Sequence, residues 1–185
     1  MRDKSARVSA YIGLYTALCV VIGFVLAPIP NVELMTLSVF LGGYFFGMLY
    51  GGIIGACSMF LFSAFNPWGS GLAFPPMLAA QVVSYGSIGI CGALVRRMFH
   101  HNKALVFILG FCGGFLSFLY YIVVTVSTAP SAGFNLKQTG VALLAGVSFS
   151  VVGIGVNILS FALLGPILIR TAQRFPFMRM FSQTD

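Results

Sequence analysis

The chain has 185 residues, of which 59% are hydrophobic and 7% are charged, and its formal net charge is +7. A soluble domain of this size would expose large apolar patches, so the composition predicts a protein whose solvent is lipid. The basic residues flank apolar segments and form no stripe interleaved with aromatic residues, which argues against a nucleic-acid partner.

The first apolar segment, 8–27, follows a short basic start. A signal peptide begins in the same way, but this apolar stretch is too long for one. Pro28 and Pro30 also stand where a cleavage site with small residues would be expected. We therefore predict that 8–27 is an uncleaved transmembrane helix.

A run without any charged residue extends from Leu34 to Val95, and its 62 residues are too many for two ordinary crossings. The sequence Asn-Pro-Trp-Gly-Ser-Gly at 66–71, followed by Pro75 and Pro76, predicts a loop because proline and glycine interrupt helices. The glycines at 47–52 predict a second, tighter reversal. These breaks predict helices over 32–47, 50–65 and 76–95, and the first two are short enough for tilt or partial burial.

Two further apolar segments, 104–126 and 139–169, follow the basic cluster at 96–103. They are separated by a polar loop at 127–137 that contains Pro130 and Gly133. The sequence thus predicts a single membrane domain over 1–185, an all-α integral membrane protein with six transmembrane helices.

The distribution of lysine and arginine predicts which side each loop faces, because basic residues are retained on the cytoplasmic side of short loops. With six crossings and a cytoplasmic N-terminus, nine of the ten basic residues fall inside, and only Lys137 falls outside. Five or seven crossings would place the C-terminal arginines outside. We therefore expect a multi-pass protein of the cell membrane with both termini in the cytoplasm.

Glu33 is the only acidic residue apart from Asp3 and Asp185. A carboxylate at membrane depth is costly, which makes Glu33 a functional candidate. A structural role is equally compatible with the sequence, because Asn31 could cap the second helix and Glu33 could interact with the positive end of its dipole. Both interpretations stay open at this stage.

Other polar and aromatic side chains gather on the predicted outer side. Asn66 and Trp68 could form a rigid lid over a pocket, although a tryptophan at that level is also typical of an interface anchor. Gln81 is the better ligand candidate among the uncharged polar residues, and Tyr85 lies one helical turn below it on the same face. Tyr120 lies near the outer end of the fifth helix, where a tyrosine can also belong to the aromatic belt.

Small residues recur at every fourth position from Gly43 to Gly55, and Gly13 and Ala17 have the same spacing in the first helix. This spacing allows helices to approach closely. At Gly13 and Ala17 the partner could be another membrane protein, or packing could occur inside the bundle. Asn157, in the last helix, is predicted to serve helix packing.

The sequence carries no motif for catalysis, metal binding or nucleotide binding. The two histidines are adjacent in a predicted cytoplasmic loop, and the four cysteines lie in different apolar segments without Cys-x-x-Cys spacing. We therefore expect no enzyme activity, no metal and no ATP site in this chain. Proton coupling through Glu33 would lack a relay partner.

These features resemble the substrate-binding S components of energy-coupling factor (ECF) vitamin transporters. The resemblance covers nearly the whole chain, with six predicted helices in 185 residues and small residues at Gly13 and Ala17. Its most specific signals are the segment Pro-Asn-Val-Glu-Leu-Met-Thr at 30–36 and the loop Asn-Pro-Trp-Gly at 66–69, which is followed by Pro75-Pro76 and Ala79-Ala80-Gln81. The family usually has Ala-x-x-x-Ala in the first helix, and Gly13 replaces the first alanine.

The resemblance implies a pocket that opens to the outside, is built from the last three helices and is capped by outer loops. It implies delivery by toppling within the membrane, with ATP hydrolysed by two cytoplasmic ATPases and with a transmembrane coupling subunit that contacts Gly13 and Ala17. The segment 31–36 is most similar to S components for cobalamin or related corrinoids, and a nearly uncharged pocket also suits a pyrimidine, a modified purine or a lipid-soluble cofactor precursor. The residues that would line or close the pocket are Asn31, Glu33, Asn66, Trp68, Gln81, Tyr85 and Tyr120.

Two other classes of function fit the same sequence, a proton-coupled secondary carrier of a small solute and a non-transporting membrane assembly subunit. Uptake that survives loss of the ATP-driven module would favour the carrier. Purification without any bound ligand would favour the assembly subunit.

The predicted topology can be tested by cysteine labelling in a background without the four native cysteines. Cysteines introduced at His101 and Ser131 should react with a membrane-impermeant maleimide from opposite sides, cytoplasmic and external respectively, because the basic cluster marks the inner side. Labelling of both positions from the same side would contradict the six-helix topology.

Overall fold

The computed structural model describes residues 2–99 and 104–174. Within these ranges the chain has no strand, and 84% of the residues are helical. The labelling position His101 lies outside the described residues. So do Lys103 and Arg179, which are predicted to be cytoplasmic. The described helices are α1 (Arg2–Leu26), α2 (Met35–Phe46), α3 (Met48–Ala64), α4 (Pro75–Phe99), α5 (Leu105–Thr128) and α6 (Leu136–Ala172), with a 3₁₀ turn at Gly71–Ala73.

Each predicted helical segment corresponds to one observed helix, but the ends differ. Helices α1, α4 and α6 extend past the predicted bounds, because the predictions followed the apolar runs and helical hydrogen bonds continue into the polar ends. At the start of α6, Asn135 and Gln138 form a reciprocal capping box, which fixes the first turn. Helix α2 begins later than predicted: the turn after α1 continues to Asn31, which has a φ of 61°, residues 32–34 are not helical, and Leu34 is the N-cap residue.

Among the described residues, four helices are long and apolar enough to cross a membrane: parts of α1 and α6, and all of α4 and α5. The chain is therefore a helical multi-pass membrane protein by length and composition. Helices α2 and α3 have 12 and 17 residues. At 1.5 Å per residue they are about 18 and 26 Å long, which is less than the hydrocarbon core of about 30 Å.

Helix α2 lies at the centre of the bundle. Ten of its 12 residues are buried, and it contacts each of the other five described α-helices. A one-residue break at Gly47, which has a φ of 90°, separates α2 from α3. Met35 near the start of α2 and Phe62 near the end of α3 both contact Gly23 of α1, so the two helices form an antiparallel hairpin. Because α2 is enclosed by other helices, few of its backbone polar groups face lipid even though the helix is short.

Glycine residues allow the backbones of the α2–α3 hairpin and of α4 to pack directly against each other. A Cβ atom at Gly43 would collide with the carbonyl oxygen of Gly89, and one at Gly55 would collide with that of Tyr85. In the reverse direction, a Cβ atom at Gly92 would collide with the carbonyl oxygen of Phe40. The close approach that the four-residue glycine spacing predicts is therefore confirmed for this part of the bundle.

The two ends of the bundle differ in charge. The Arg96 guanidinium donates to the carbonyl oxygens of Tyr44 and Phe45, at 3.2 and 3.3 Å, and so satisfies the last turn of α2 beside Gly47. The ring contact of Tyr15 with Phe46 places the basic start of α1 at this end too. Phe161 packs on Phe40 further along α6, so α6 also runs toward the basic end. The connections α1–α2, α3–α4 and α5–α6 therefore meet at the opposite end.

Substitution of Gly89 by alanine tests the glycine packing. A methyl group there would meet the carbonyl oxygen of Gly51, so α4 must separate from the hairpin. We expect Gly89→Ala to lower the stability in detergent by about 1 to 3 kcal/mol. Gly155→Ala is the matched control, because a Cβ atom at that position has no neighbour within 4 Å. Equal unfolding temperatures for the two variants would contradict the packing argument.

Candidate functional site

A cavity of about 550 Å³ lies at the end of the bundle that carries the α1–α2 loop. It extends between the C-terminal end of α1, the hairpin, and the facing parts of α4, α5 and α6. Most of its lining is apolar, and ten of its lining side chains carry a polar group. These are Asn31, Glu33, Thr36, Tyr85, Ser117, Tyr120, Tyr121, Thr125, Ser150 and Asn157.

Glu33 is positioned by the first turn of α2. Its Oε1 accepts a hydrogen bond from the Thr36 hydroxyl at 2.5 Å, and its Oε2 accepts one from the Thr36 backbone N–H at 3.3 Å. The carboxylate therefore lies at the positive end of the α2 dipole, as predicted for a structural role of Glu33. The prediction that Asn31 caps α2 is wrong, because Leu34 is the N-cap residue and Asn31 lies beside Gly153 of α6. Since Glu33 also lines the cavity, its structural role does not exclude a functional one.

Asn157 of α6 joins three elements through one amide group. Its Nδ2 donates to Glu33 Oε1 at 2.8 Å and to Ser117 Oγ at 2.9 Å. The Ser117 hydroxyl donates in turn to the carbonyl oxygen of Gly113 at 2.7 Å, so it can only accept from the amide. Both amide protons are thus used, and Asn157 Oδ1 is buried without a hydrogen-bond partner among the described residues. The packing role that the sequence predicted for Asn157 is combined with a place in the cavity wall.

Two tyrosines close the polar cluster on the side of α4 and α5. The rings of Tyr85 and Tyr120 pack edge to face, with centroids 5.3 Å apart. The Tyr85 hydroxyl lies 3.0 Å from Thr36 Oγ1 and 3.3 Å from Glu33 Oε2. Tyr85 has one hydroxyl proton, so it cannot donate to both oxygens at once. Its bond to Glu33 Oε2 competes with the shorter one to Thr36.

The predicted site residues occupy three different places in the structure. Asn31, Glu33, Tyr85 and Tyr120 all line the cavity. Gln81 lies just behind it, where its side chain accepts from Ser63 Oγ at 2.7 Å and interacts with Tyr120.

The α3–α4 loop contributes neither of its predicted residues to the cavity wall. The Trp68 side chain is 74% exposed, and Asn66 Oδ1 accepts from the Trp68 backbone N–H at 2.9 Å, which stabilises the turn. The structure therefore brings these two residues together with each other but not with Glu33. Their role in ligand binding, as a lid or otherwise, stays a prediction.

One face of α6 forms a wall of small residues that the sequence reasoning missed. Gly146, Ser150, Gly153 and Asn157 line the cavity, and their spacing of three or four residues places them on one helix face. The Tyr121 side chain packs against Gly146 and donates to the carbonyl oxygen of Leu143 at 2.8 Å. The same periodicity that identified the glycines of α2 and α3 could have identified this face.

The electrostatics of the cavity differ from those of the whole chain. Among the lining residues that the structure describes, Glu33 is the only acidic one, and none is a lysine, arginine or histidine. Within residues 2–99 and 104–174, no group of three or more histidine, cysteine, aspartate or glutamate side chains could hold a metal ion. The arrangement provides a single carboxylate, surrounded by hydroxyl and amide groups and by aromatic rings, which suits recognition of a small organic molecule.

No protein-family model matches this sequence, and no match was found among curated proteins or solved structures.

Proposed function

We propose that this chain is the substrate-binding subunit of an importer of the energy-coupling factor type, and that it captures a small molecule in the cavity beside Glu33. The observation that carries the proposal is a largely apolar cavity with one cluster of polar side chains inside a bundle of apolar helices. Ligand sites are typically concave and largely apolar, with a few convergent polar groups.

The proposed orientation rests on the charge difference between the two ends of the bundle. Arg96 and Arg97 near the end of α4, and Arg170 near the end of α6, lie at the end opposite the cavity. If that end is cytoplasmic, the cavity faces the outside and is placed to capture a substrate for import. In this proposal α2 and α3 act as two short crossings, which gives six crossings and cytoplasmic termini in the cell membrane.

Energy for import would come from partner proteins, because the sequence has no nucleotide-binding motif. The proposed partners are a transmembrane coupling subunit and two cytoplasmic ATPases. Gly13 and Ala17 are exposed on α1, and a Cβ atom at Gly13 would have no neighbour within 4 Å. No residue that the structure describes covers Gly13 at this distance, so another helix could approach this face closely.

The size of the cavity bears on the substrate. A volume of about 550 Å³ lies inside the range of roughly 300 to 1,000 Å³ that is usual for drug-sized ligands. Such a volume favours a compact cofactor precursor over cobalamin or another corrinoid, whose macrocycle would need more room. The corrinoid that the sequence suggested remains a proposal that the cavity supports less well.

A second candidate, a proton-coupled carrier, is favoured by the position of Glu33 in the cavity. A carboxylate inside a membrane bundle can exchange a proton during transport. The two candidates differ in their need for a partner, because a carrier would continue to import substrate in cells without the ATP-driven module, whereas the proposed subunit would not.

Blocking the cavity tests ligand capture. Native mass spectrometry of the gently purified protein should show a retained small molecule, and Gly153→Leu should remove it, because the new side chain projects beside Asn31 into the cavity. We expect affinity to fall at least tenfold, which corresponds to about 1.4 kcal/mol. Gly155→Leu, whose side chain meets open space, should retain the ligand. Retention of the ligand by Gly153→Leu would place its site elsewhere.

Leucine substitutions on α1 test the partner surface. Gly13→Leu or Ala17→Leu should abolish uptake, by cells, of the ligand that mass spectrometry identifies. Both variants should leave binding of that ligand by the purified protein unchanged, because only the exposed helix face is altered. Gly155→Leu again provides the control and should support uptake. Equal loss of binding and uptake would show that these positions do not act through a partner.

A further inference from the structure

Among the described residues, Glu33 has hydrogen-bond donors around it but no cationic partner. All four of its hydrogen-bond contacts come from neutral groups, namely the hydroxyl and backbone N–H of Thr36, the Tyr85 hydroxyl and the Asn157 amide. Carboxylates inside a membrane bundle usually pair with a cationic group. Within residues 2–99 and 104–174, the cavity lining provides no such group. A ligand could supply the compensating charge.

The two carboxylate oxygens are not equally satisfied. Oε1 accepts the two short bonds, at 2.5 Å from Thr36 and 2.8 Å from Asn157. Oε2 has only two contacts of 3.3 Å, and for one of these Tyr85 has a nearer alternative in Thr36 Oγ1. Oε2 can therefore accept another, stronger hydrogen bond, and charge-assisted bonds of this kind are shorter than neutral ones.

Asn157 provides a second acceptor without a donor. The orientation of its amide is fixed, because a carboxylate only accepts and the group that faces Glu33 must be the NH₂. Its Oδ1 is consequently left unpaired in a side chain that is only 3% exposed. An unpaired buried acceptor is costly, and a donor on a ligand would relieve that cost. Since Oδ1 is shielded from solvent, this contact requires neighbouring side chains to move.

We infer that the ligand of this cavity presents a positively charged group with at least two N–H donors, such as an amidine or a protonated amino-substituted heterocycle, to Glu33 Oε2 and Asn157 Oδ1. The inference rests on the proposed function, because it specifies the substrate class of the same cavity. Tyr85 and Tyr120 add aromatic surface beside the carboxylate, which favours a flat cation by cation–π and edge-to-face contacts.

A matched set of three flat probes separates charge from shape. Benzamidinium, benzamide and benzoate have the same ring and nearly the same outline, with positive, zero and negative charge. Each is added at equal ionic strength to the full-length protein in detergent, and the unfolding temperature is measured, because a ligand of the folded state raises it. We expect benzamidinium to bind at least tenfold more tightly than benzamide, and benzoate to leave the unfolding temperature unchanged.

Variants then assign the preference to Glu33. Glu33→Gln should remove the preference for the cation, whereas Glu33→Asp should keep part of it. Asp3→Asn changes the net charge equally at the start of the chain and should have no effect. Gly153→Leu should weaken the binding of benzamidinium. If Glu33→Gln does not fold, the three probes on the unmodified protein still show whether the cavity prefers a cation. Equal binding of benzamidinium and benzamide, no binding of benzamidinium, or binding that is unaffected by Gly153→Leu would overturn the inference.

The outcomes also separate this inference from the proposed function. A neutral or anionic natural ligand that Gly153→Leu displaces would overturn the inference but support capture in the cavity. If benzamidinium binds preferentially but cells import the natural ligand equally well without this chain, the inference is supported and the proposed function is overturned.

Discussion

The close approach of α4 to the α2–α3 hairpin is the constraint on which the rest of the structure depends. It is possible only because glycine occupies the contact positions, so that carbonyl oxygens of one helix lie where side chains of the other would begin. The contact of Gly55 with the Tyr85 backbone sets the height of α4 along the hairpin. At that height the Tyr85 hydroxyl reaches Thr36 and Glu33. Packing of small residues in one half of the bundle therefore determines the geometry of the polar cluster in the other half.

The polar cluster has a related consequence for function. Glu33 receives donors from α2, α4 and α6, so among the described residues the carboxyl group is held in place by neutral groups alone. Such an arrangement fixes the orientation of the carboxyl group in a mostly apolar cavity. In the proposed subunit, this pre-organised acceptor would select the substrate by its charge and its donors. The basic end of the bundle would at the same time keep the cavity on the outer side.

Much of the fold could be predicted from sequence because its signals are local. Apolar length marks each helix, and the proline and glycine residues at 66–71 mark the loop between α3 and α4. The glycine spacing from Gly43 to Gly55 also predicted close packing, but Gly47 separates α2 from α3, so only Gly51 and Gly55 share one helix face. The start of α2 was placed too early, because residues 32–34 include no proline or glycine, so the sequence does not mark them as non-helical.

The candidate site could be predicted only in part. Glu33 stands out from sequence as the single acidic residue between Asp3 and Asp185, and its cost in a membrane makes it a candidate wherever the chain folds. Its bonds from Thr36 are local, whereas its contacts with Tyr85 and Asn157 depend on the tertiary structure. Asn157 lies 124 residues away along the chain, and only the packing of α6 against α2 and α5 brings its amide to the carboxylate. Apolar length and charge act through the solvent and are readable along the chain, whereas a hydrogen bond requires two atoms to meet within about 3 Å, which only the packed helices decide.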